Sequence, residues 1–288
     1  MTARTLETDT DDLLGRIEGH VAVLTFNRPE RRNALTEGVY HGFATALPIV
    51  EADPDIRVLM VTGAGGAFCA GGDVKRMNER NQSASGPPAG PGASAPTAAG
   101  LSLEARIADL RTRQRAVSLA LQQLPLPVVA ALPGAAAGAG LSIALAADLR
   151  VAAERAVLVT AFSGVGASGD FGGSWFLTHL VGAAKAKELY FRSPRLTAAD
   201  ALALGLVNQV MADDGFEQAA IDYCHELAAR PPIALRYIKE NINRALDADL
   251  ATALDAEAVA MVRTMSTEDH REAAAAFVEK RSATFTGR

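Results

Sequence analysis

The apolar and polar positions of the first half of the chain repeat an order of strand, turn and helix. Short apolar runs end in turns of small residues, and apolar positions at helical spacing follow them. The predicted strands are residues 14–27, 56–63, 127–132, 149–152 and 158–160. The first predicted helix begins after Thr36, whose hydroxyl can cap it, and ends before Pro54. This alternation predicts an α/β fold.

From about residue 176 onward the apolar spacing is helical. The predicted helical pieces are 177–181, 184–191, 198–204, 216–229, 233–245, 250–265 and 267–281. Pro, Gly, Ser and Ala dominate residues 81–100, which predicts a flexible insertion within the domain. We therefore predict a flexible N-terminus at 1–13, a core at 14–205 and a C-terminal helical region at 206–288.

Composition narrows the class of protein. Of 288 residues, 49% are hydrophobic, which allows a large core, and the formal net charge of −5 comes without a long basic run. Nucleic-acid binding is therefore not expected. Cys69 and Cys224 are the only cysteines, and the five histidines lack ligand spacing, so neither a disulfide framework nor a metal is predicted. With a polar N-terminus and no long apolar run, we expect a cytoplasmic protein without membrane contact.

Two glycine-rich turns follow predicted strands, GAGGAFCAGGD at 63–73 and GAAAGAG at 134–140. Neither fits the dinucleotide-binding pattern G-x-G-x-x-G or a phosphate-binding loop that ends in Gly-Lys-Ser/Thr. Small side chains let a ligand approach the main chain, and two facing turns can form an oxyanion hole from backbone N–H groups. The alternative is a pair of tight turns without a ligand.

These turns belong to five motifs that occur in order along the chain. The motifs are NRP and NAL (27–29 and 33–35), AFCAGGD (67–73), the segment 134–148, Ala201 with GLV (205–207), and FVEKR (277–281). Together they resemble the crotonase (enoyl-CoA hydratase/isomerase) superfamily over about residues 14–285. The resemblance implies a spiral of ββα units, C-terminal helices that build a homotrimer or a dimer of trimers, and acyl-CoA thioester substrates. It implies no separate cofactor, because coenzyme A is part of the substrate.

The resemblance also implies roles for the residues of the two turns. The backbone N–H groups of Ala70 and Ala139 would stabilise the thioester enolate. The remaining residues of the first turn would bind the substrate beside them: Gly71, Gly72 and Asp73. For Asp73 we favour a structural role in the turn over a catalytic one.

For coenzyme A, the resemblance implies Phe277 and Lys280, commonly supplied across a subunit boundary, and Arg28 is a further candidate. Family members that hydrate enoyl-CoA use two glutamates to hold and activate water. The two aligned positions hold Ser142 and Phe162 in this chain. Neither side chain can act as a general base, so two-glutamate hydration is not expected.

The loop SGDFGGSW at 168–175 holds Asp170, the only acidic residue between Glu154 and Glu188. Its aromatic neighbours can desolvate the carboxylate and raise its pKa from the ordinary value of about 3.9. A carboxylate at this place occurs in family members that move double bonds or open epoxides beside a thioester. The run AFSGVGASGDFGG at 161–173 particularly resembles epoxyphenylacetyl-CoA isomerases and related enoyl-CoA isomerases.

We therefore predict an acyl-CoA isomerase in which Asp170 takes a proton from carbon and returns it elsewhere. Four alternatives stay open. Asp170 activates water in a hydratase or hydrolase, or it attacks an aryl-CoA as a nucleophile. Otherwise the protein binds acyl-CoA without turnover, or Asp170 only caps a helix that begins near residue 173.

Overall fold

The computed structural model describes residues 4–73 and 102–288, so the predicted insertion at 81–100 lies outside the described residues. Within these ranges eleven strands form two sheets. The strands are β1 (Arg4–Thr5), β2 (Leu13–Glu18), β3 (Val21–Phe26), β4 (Val58–Gly63), β5 (Ala67–Cys69), β6 (Val128–Leu132), β7 (Ala135–Ala137), β8 (Leu149–Ala153), β9 (Val157–Val159), β10 (Leu196–Thr197) and β11 (Gln209–Met211).

The larger sheet has the order β1-β2-β3-β4-β6-β8-β11, and the smaller sheet has the order β10-β9-β7-β5. Strands β1 to β3 pair antiparallel, whereas β3, β4, β6, β8 and β11 run parallel. In the smaller sheet β5, β7 and β9 are parallel neighbours. The chain therefore moves between the sheets as it advances, since β4 and β6 of the larger sheet precede β5 and β7 of the smaller one.

Helices connect and cover these sheets. They are α1 (Glu37–Ala52), α2 (Leu103–Gln114), α3 (Ala120–Gln123), α4 (Ala139–Leu145), α5 (Gly173–Arg192), α6 (Ala198–Ala203), α7 (Phe216–Ala228), α8 (Pro232–Ala245), α9 (Leu250–Met265) and α10 (Glu268–Glu279). A π-helical turn, Arg115–Leu119, joins α2 to α3, and α5 bends at Gly182. In the described part of the chain, no helix is long and apolar enough to span a bilayer.

The central strands of the larger sheet are buried on both faces. Every residue of β4 and β6 is buried, and alternate residues point into different clusters. Val128 faces the cluster that includes Phe43 of α1, whereas Val129 faces the cluster that includes Phe216 of α7. The apolar runs that predicted strands therefore supply two cores, one on each side of the sheet.

Several boundaries follow the sequence closely, and others do not. Helix α1 begins after Thr36, whose hydroxyl accepts a hydrogen bond from the Val39 N–H, as predicted. The predicted strand at 14–27 is instead a hairpin, because Gly19 takes a positive φ of 58° and turns the chain. The region after 176 is not purely helical, because it contains β10 and β11.

The C-terminal region predicted to start at 206 begins with elements of the core. Strand β11 completes the larger sheet by pairing with β8, and its Gln209 lies opposite Val151. Helix α7 then packs on the same sheet through residues such as Phe216 and Cys224. Judged by which elements pack on the larger sheet, the core continues beyond residue 205 to the end of α7.

Residues 4–13 are packed on the sheet rather than flexible, which corrects the prediction for this part of the N-terminus. Strand β1 pairs with β2, and the Leu6 N–H donates to the Gly15 carbonyl at 3.1 Å. The Leu6 side chain is buried, and the Asp12 carbonyl accepts from the Asn27 N–H at 2.9 Å.

A buried ion pair joins α8 to the core. The Lys239 ammonium lies 2.8 Å from Asp148 Oδ2 and 3.1 Å from the Leu126 carbonyl oxygen. The same Asp148 oxygen accepts from the Val128 N–H at the start of β6, at 2.7 Å. Breaking a buried pair by removing one partner leaves the other charge desolvated and uncompensated.

We therefore expect Lys239→Met to lower the free energy of unfolding by about 3 kcal/mol. Arg236→Met on the same helix is the matched control, because the Arg236–Glu240 pair at 2.9 Å is exposed. Exposed pairs contribute about 0–1 kcal/mol. Urea unfolding measures the free energy of unfolding of both variants. Equal losses in the two would contradict the conclusion that the buried Lys239–Asp148 pair contributes more than an exposed pair.

Candidate active site

Three neighbouring parallel strands carry the candidate site at their carboxyl ends. Strand β5 leads into the first glycine turn, β7 leads into the start of α4, and β9 leads into the loop that holds Asp170. Because β5, β7 and β9 are adjacent in one sheet, the three segments emerge at the same edge. Ligands commonly bind at this edge in parallel sheets.

The two glycine turns are in direct backbone contact. A Cβ at Gly71, where φ is 78°, would lie 2.6 Å from the Ala137 oxygen and 3.0 Å from the Ala139 nitrogen. A Cβ at Gly140 would lie 2.3 Å from the Cys69 oxygen. Both turns therefore need glycine where they meet, and the contact places the first turn beside the start of α4.

The structure corrects one of the two predicted oxyanion donors. The Ala70 N–H donates to the Arg32 carbonyl oxygen at 2.9 Å, so the fold already uses it. Two residues on, the Gly72 N–H has no acceptor in the described ranges, and the same holds for the Ala139 N–H at the first position of α4. Gly72 and Ala139 therefore place one backbone N–H without a described acceptor on each of the two touching turns.

Asp170 lies in the loop before α5 with its carboxylate largely withdrawn from water. Its Oδ1 atom is buried and has no hydrogen-bond partner in the part of the chain that the structure describes. Burial raises the pKa of this carboxyl to about 6. A group with that pKa is mostly ionised at neutral pH and remains a competent acid when protonated.

Asp170 does not cap α5. The residue at the cap position is Gly172, in a left-handed conformation, and no side chain accepts a hydrogen bond there. The bond that Asp170 does make with this helix is through its backbone, since its carbonyl accepts from the Gly173 N–H at 3.1 Å. The capping interpretation is therefore wrong, and the carboxylate is left with no described structural partner.

Two tyrosines that the sequence did not single out flank Asp170. Burial first, and the charge of Asp170 as a further contribution, raise the pKa of both Tyr40 and Tyr190 to about 12. The Tyr40 ring stacks on Phe171 at 5.7 Å, and the Phe171 N–H donates to Gln114 Oε1 at 2.8 Å. Helices α1, α2 and α5 therefore enclose the carboxylate, and neither tyrosine lies near Asp170 in sequence.

The predicted desolvating aromatics divide into two groups. Phe171 is buried, and Phe162 stacks on Tyr190 at 5.9 Å, so both help to exclude water around Asp170. Trp175 is 36% exposed and contacts His179, with 4.1 Å between ring centroids, so it turns toward the surface.

The candidates for coenzyme A lie elsewhere. The Arg28 guanidinium is 3.6 Å from Asp12 Oδ1 and donates to the Ala34 carbonyl at 3.2 Å, so it is held within its own loop. Phe277 is 86% exposed and Lys280 ends α10. For the described residues, no hydrogen bond, ion pair or ring contact joins either of them to the Asp170 loop. Asp73 is half-buried beside Gly72.

Known proteins with similar sequences are acyl-CoA enzymes. A family model described as enoyl-CoA hydratase/isomerase matches residues 16–91 and 92–288. The chain is 38% identical over 276 residues to 1,2-epoxyphenylacetyl-CoA isomerase of Escherichia coli (strain K12), covering 96% of this chain and 98% of that protein. It is 33% identical over 265 residues to short-chain-enoyl-CoA hydratase of Clostridium acetobutylicum, covering 92% and 93%.

Solved structures give the same fold. The crystal structure of an enoyl-CoA hydratase from Polaromonas sp. JS666 superposes with a TM-score of 0.84 at 35% identity, covering 95% of this chain and 99% of that one. A putative enoyl-CoA hydratase from Streptomyces coelicolor A3(2) gives 0.85 at 33% identity, covering 100% and 98%.

The raised pKa of Asp170 has a consequence for stability. The folded pKa of about 6 lies above the unfolded value of about 3.9, so folding favours the protonated form. The stability that this group contributes is therefore present below about pH 4 and is lost as the pH rises through 6. Relative to Asp170→Asn, the native protein should lose about 2–3 kcal/mol of unfolding free energy between pH 4 and pH 8.

Denaturant unfolding of both proteins at a series of pH values measures this difference. Asp200→Asn is the control, because hydrogen bonds from Thr197 lower the pKa of Asp200. Its contribution is complete above the unfolded pKa, so the control difference should stay level from pH 5 to pH 8. A level difference for Asp170→Asn as well would show that the carboxyl is not desolvated.

Proposed function

The chain belongs to the enoyl-CoA hydratase/isomerase family, and we propose that it is an acyl-CoA isomerase in which Asp170 shuttles the proton that moves a double bond. The observation that carries this proposal is the Asp170 carboxylate, whose Oδ1 is buried without a partner in the described residues, on a loop that leaves the same end of the small sheet as the two glycine turns. The isomerase named among its relatives, at 38% identity, gives further support.

The proposed reaction uses the two halves of the site together. Asp170 removes a proton from the acyl chain, and the thioester oxygen gains negative charge as the enolate forms. The N–H groups of Gly72 and Ala139 stabilise that charge, because they are fixed before the reaction and need no reorganisation. Protonated Asp170 then returns the proton to another carbon, so one carboxyl serves as base and acid.

Hydration is the second candidate, and the hydratases among the relatives favour it. In that reaction Asp170 would activate a water molecule. The residues at the two aligned glutamate positions argue against it: Ser142 is buried with its hydroxyl bonded to the Gly138 carbonyl at 3.3 Å, and Phe162 has no polar atom. Isomerisation needs only one carboxylate to move the proton, and Asp170 can supply it, whereas two-glutamate hydration needs two.

We further propose that a second copy of the chain contributes to coenzyme A binding. Phe277 is exposed near the end of α10, and Lys280 is the C-cap residue of this helix, in a left-handed conformation. This end of the helix is accessible to a neighbouring subunit. Helix α9 adds exposed apolar side chains, among them Leu250 at 74% and Val262 at 67%. Such surface favours burial in a homotrimer or a dimer of trimers. We place this assembly in the cytoplasm, which two unpaired cysteines suit.

Asp170→Asn should lower turnover by at least about two orders of magnitude while coenzyme A thioesters still bind, because the amide cannot accept the proton. The measurement uses a panel of enoyl-, dienoyl- and aryl-CoA thioesters in isotope-labelled water. Product that gains no solvent oxygen identifies isomerisation, and labelled oxygen identifies hydration or hydrolysis.

Asp222→Asn is the matched control, since Asp222 lies on α7 and accepts a hydrogen bond from Gln218 at 2.8 Å. It should retain native turnover. Unchanged turnover in Asp170→Asn would exclude Asp170 as the base. A covalent adduct trapped on Asp170 would favour the nucleophilic alternative, and thioester binding without any turnover would favour a binding protein.

Sedimentation equilibrium should give about three or six times the chain mass of 30.0 kDa. Val262→Asp should shift the mass toward that of a single chain, because it places a charge on the exposed apolar face of α9. A native protein that sediments as a single chain would contradict the assembly and the shared coenzyme A site.

A further inference from the structure

Tyr190 of α5 contacts the Asp170 loop before and after Asp170 in sequence. A Cβ at Gly169 would be 2.9 Å from the Tyr190 ring atom Cε1. A Cβ at Gly173 would be 2.5 Å from the Tyr190 hydroxyl oxygen. Because neither position has room for a side chain, the loop packs directly on the tyrosine, and the two contacts flank Asp170 in sequence.

The Tyr190 hydroxyl and the Ser142 hydroxyl meet at Gly173. The Cβ position at Gly173 is 2.3 Å from Ser142 Oγ as well as 2.5 Å from the Tyr190 oxygen, so the two side chains lie side by side. The Ser142 hydroxyl donates to the Gly138 carbonyl oxygen at 3.3 Å. That bond uses the only proton of the serine hydroxyl.

The Ser142 hydrogen bond ends on the peptide that carries the proposed oxyanion donor Ala139. The Gly138 carbonyl and the Ala139 N–H belong to the same peptide unit, and this carbonyl also accepts from the Ser142 N–H at 3.0 Å. Hydrogen bonds to a carbonyl polarise its peptide and strengthen the N–H on the other side. Gly138 has φ 53° and ψ −127°, a conformation that only glycine adopts readily, so the orientation of this peptide is fixed by the turn.

We propose that Tyr190 is a positioning residue that acts through Ser142 to hold the Asp170 loop and the Ala139 donor in one fixed arrangement. The inference rests on the proposed roles of Asp170 and Ala139. It assigns the Ser142 hydroxyl an internal function, because both its proton and its contact with Tyr190 are used within the protein. The substrate is then enclosed by groups whose positions depend on one another.

The coupling between Tyr190 and Ser142 is tested with Tyr190→Phe, Ser142→Ala and the double variant. Phenylalanine keeps the ring that stacks on Phe162 and removes only the hydroxyl. The readout is deuterium exchange from D₂O into the α-carbon of butyryl-CoA, which needs only the base and the oxyanion hole. Each single variant should lower the maximal exchange rate about tenfold with an unchanged KM, because binding is retained and the transition state is less well stabilised.

The double variant should lose no more than about tenfold, because either substitution removes part of the same contact at Gly173. Tyr223→Phe in α7 is the control for loss of a half-buried hydroxyl and should exchange at the native rate. Losses that multiply to about a hundredfold, a rise in KM alone, or native rates in Ser142→Ala would overturn the inference. Thermal unfolding verifies that each variant is folded. If Tyr190→Phe does not fold, the exchange rate of Ser142→Ala alone tests the inference.

Failure of this inference differs from failure of the proposed function. If Asp170→Asn abolishes exchange while the hydroxyl variants keep native rates, the base is correct and the coupling is wrong. If Asp170→Asn exchanges normally, the proposed function itself fails.

Discussion

The contact between two backbone turns is the constraint on which the site depends. Gly71 lies against the Ala137 carbonyl and the Ala139 nitrogen, and Gly140 lies against the Cys69 carbonyl, at distances that exclude a Cβ atom. The pairing of β5 with β7, in which Cys69 lies opposite Ala136, sets this contact. Two N–H groups can donate to one oxygen only while the turns stay together, so the small sheet fixes the geometry of the proposed oxyanion hole before any substrate arrives.

The buried Asp170 carboxylate serves the proposed reaction, but its ionised form lowers the stability of the fold. An unpartnered carboxylate loses hydration on burial, and its raised pKa measures that loss. The surrounding structure tolerates it because the loop is held elsewhere, through the Tyr40–Phe171 stack and the bond from the Phe171 N–H to Gln114. Local strain or desolvation that the rest of a fold supports is typical of active sites.

The sequence predicted the elements that depend on local pattern and missed those that depend on distant partners. The Thr36 cap and the buried central strands could be predicted because spacing alone determines them. The motif located the first glycine turn but not its free donor, since only the fold brings the Arg32 carbonyl to the Ala70 N–H. Strand β11 was missed because three residues are too short for a recognisable alternation, and its pairing with β8 is not local.

The chemistry available to this site depends on which of its buried polar groups already have hydrogen-bond partners. Hydration requires side chains that stay available to water, whereas the Ser142 hydroxyl is buried and donates to the Gly138 carbonyl. By contrast, Oδ1 of Asp170 is buried and has no hydrogen-bond partner in the part of the chain that the structure describes. A buried acceptor without a partner carries an uncompensated desolvation cost, and accepting a substrate proton relieves that cost. In the proposed reaction, the internal bonding of its neighbours therefore leaves Asp170 as the group through which protons pass.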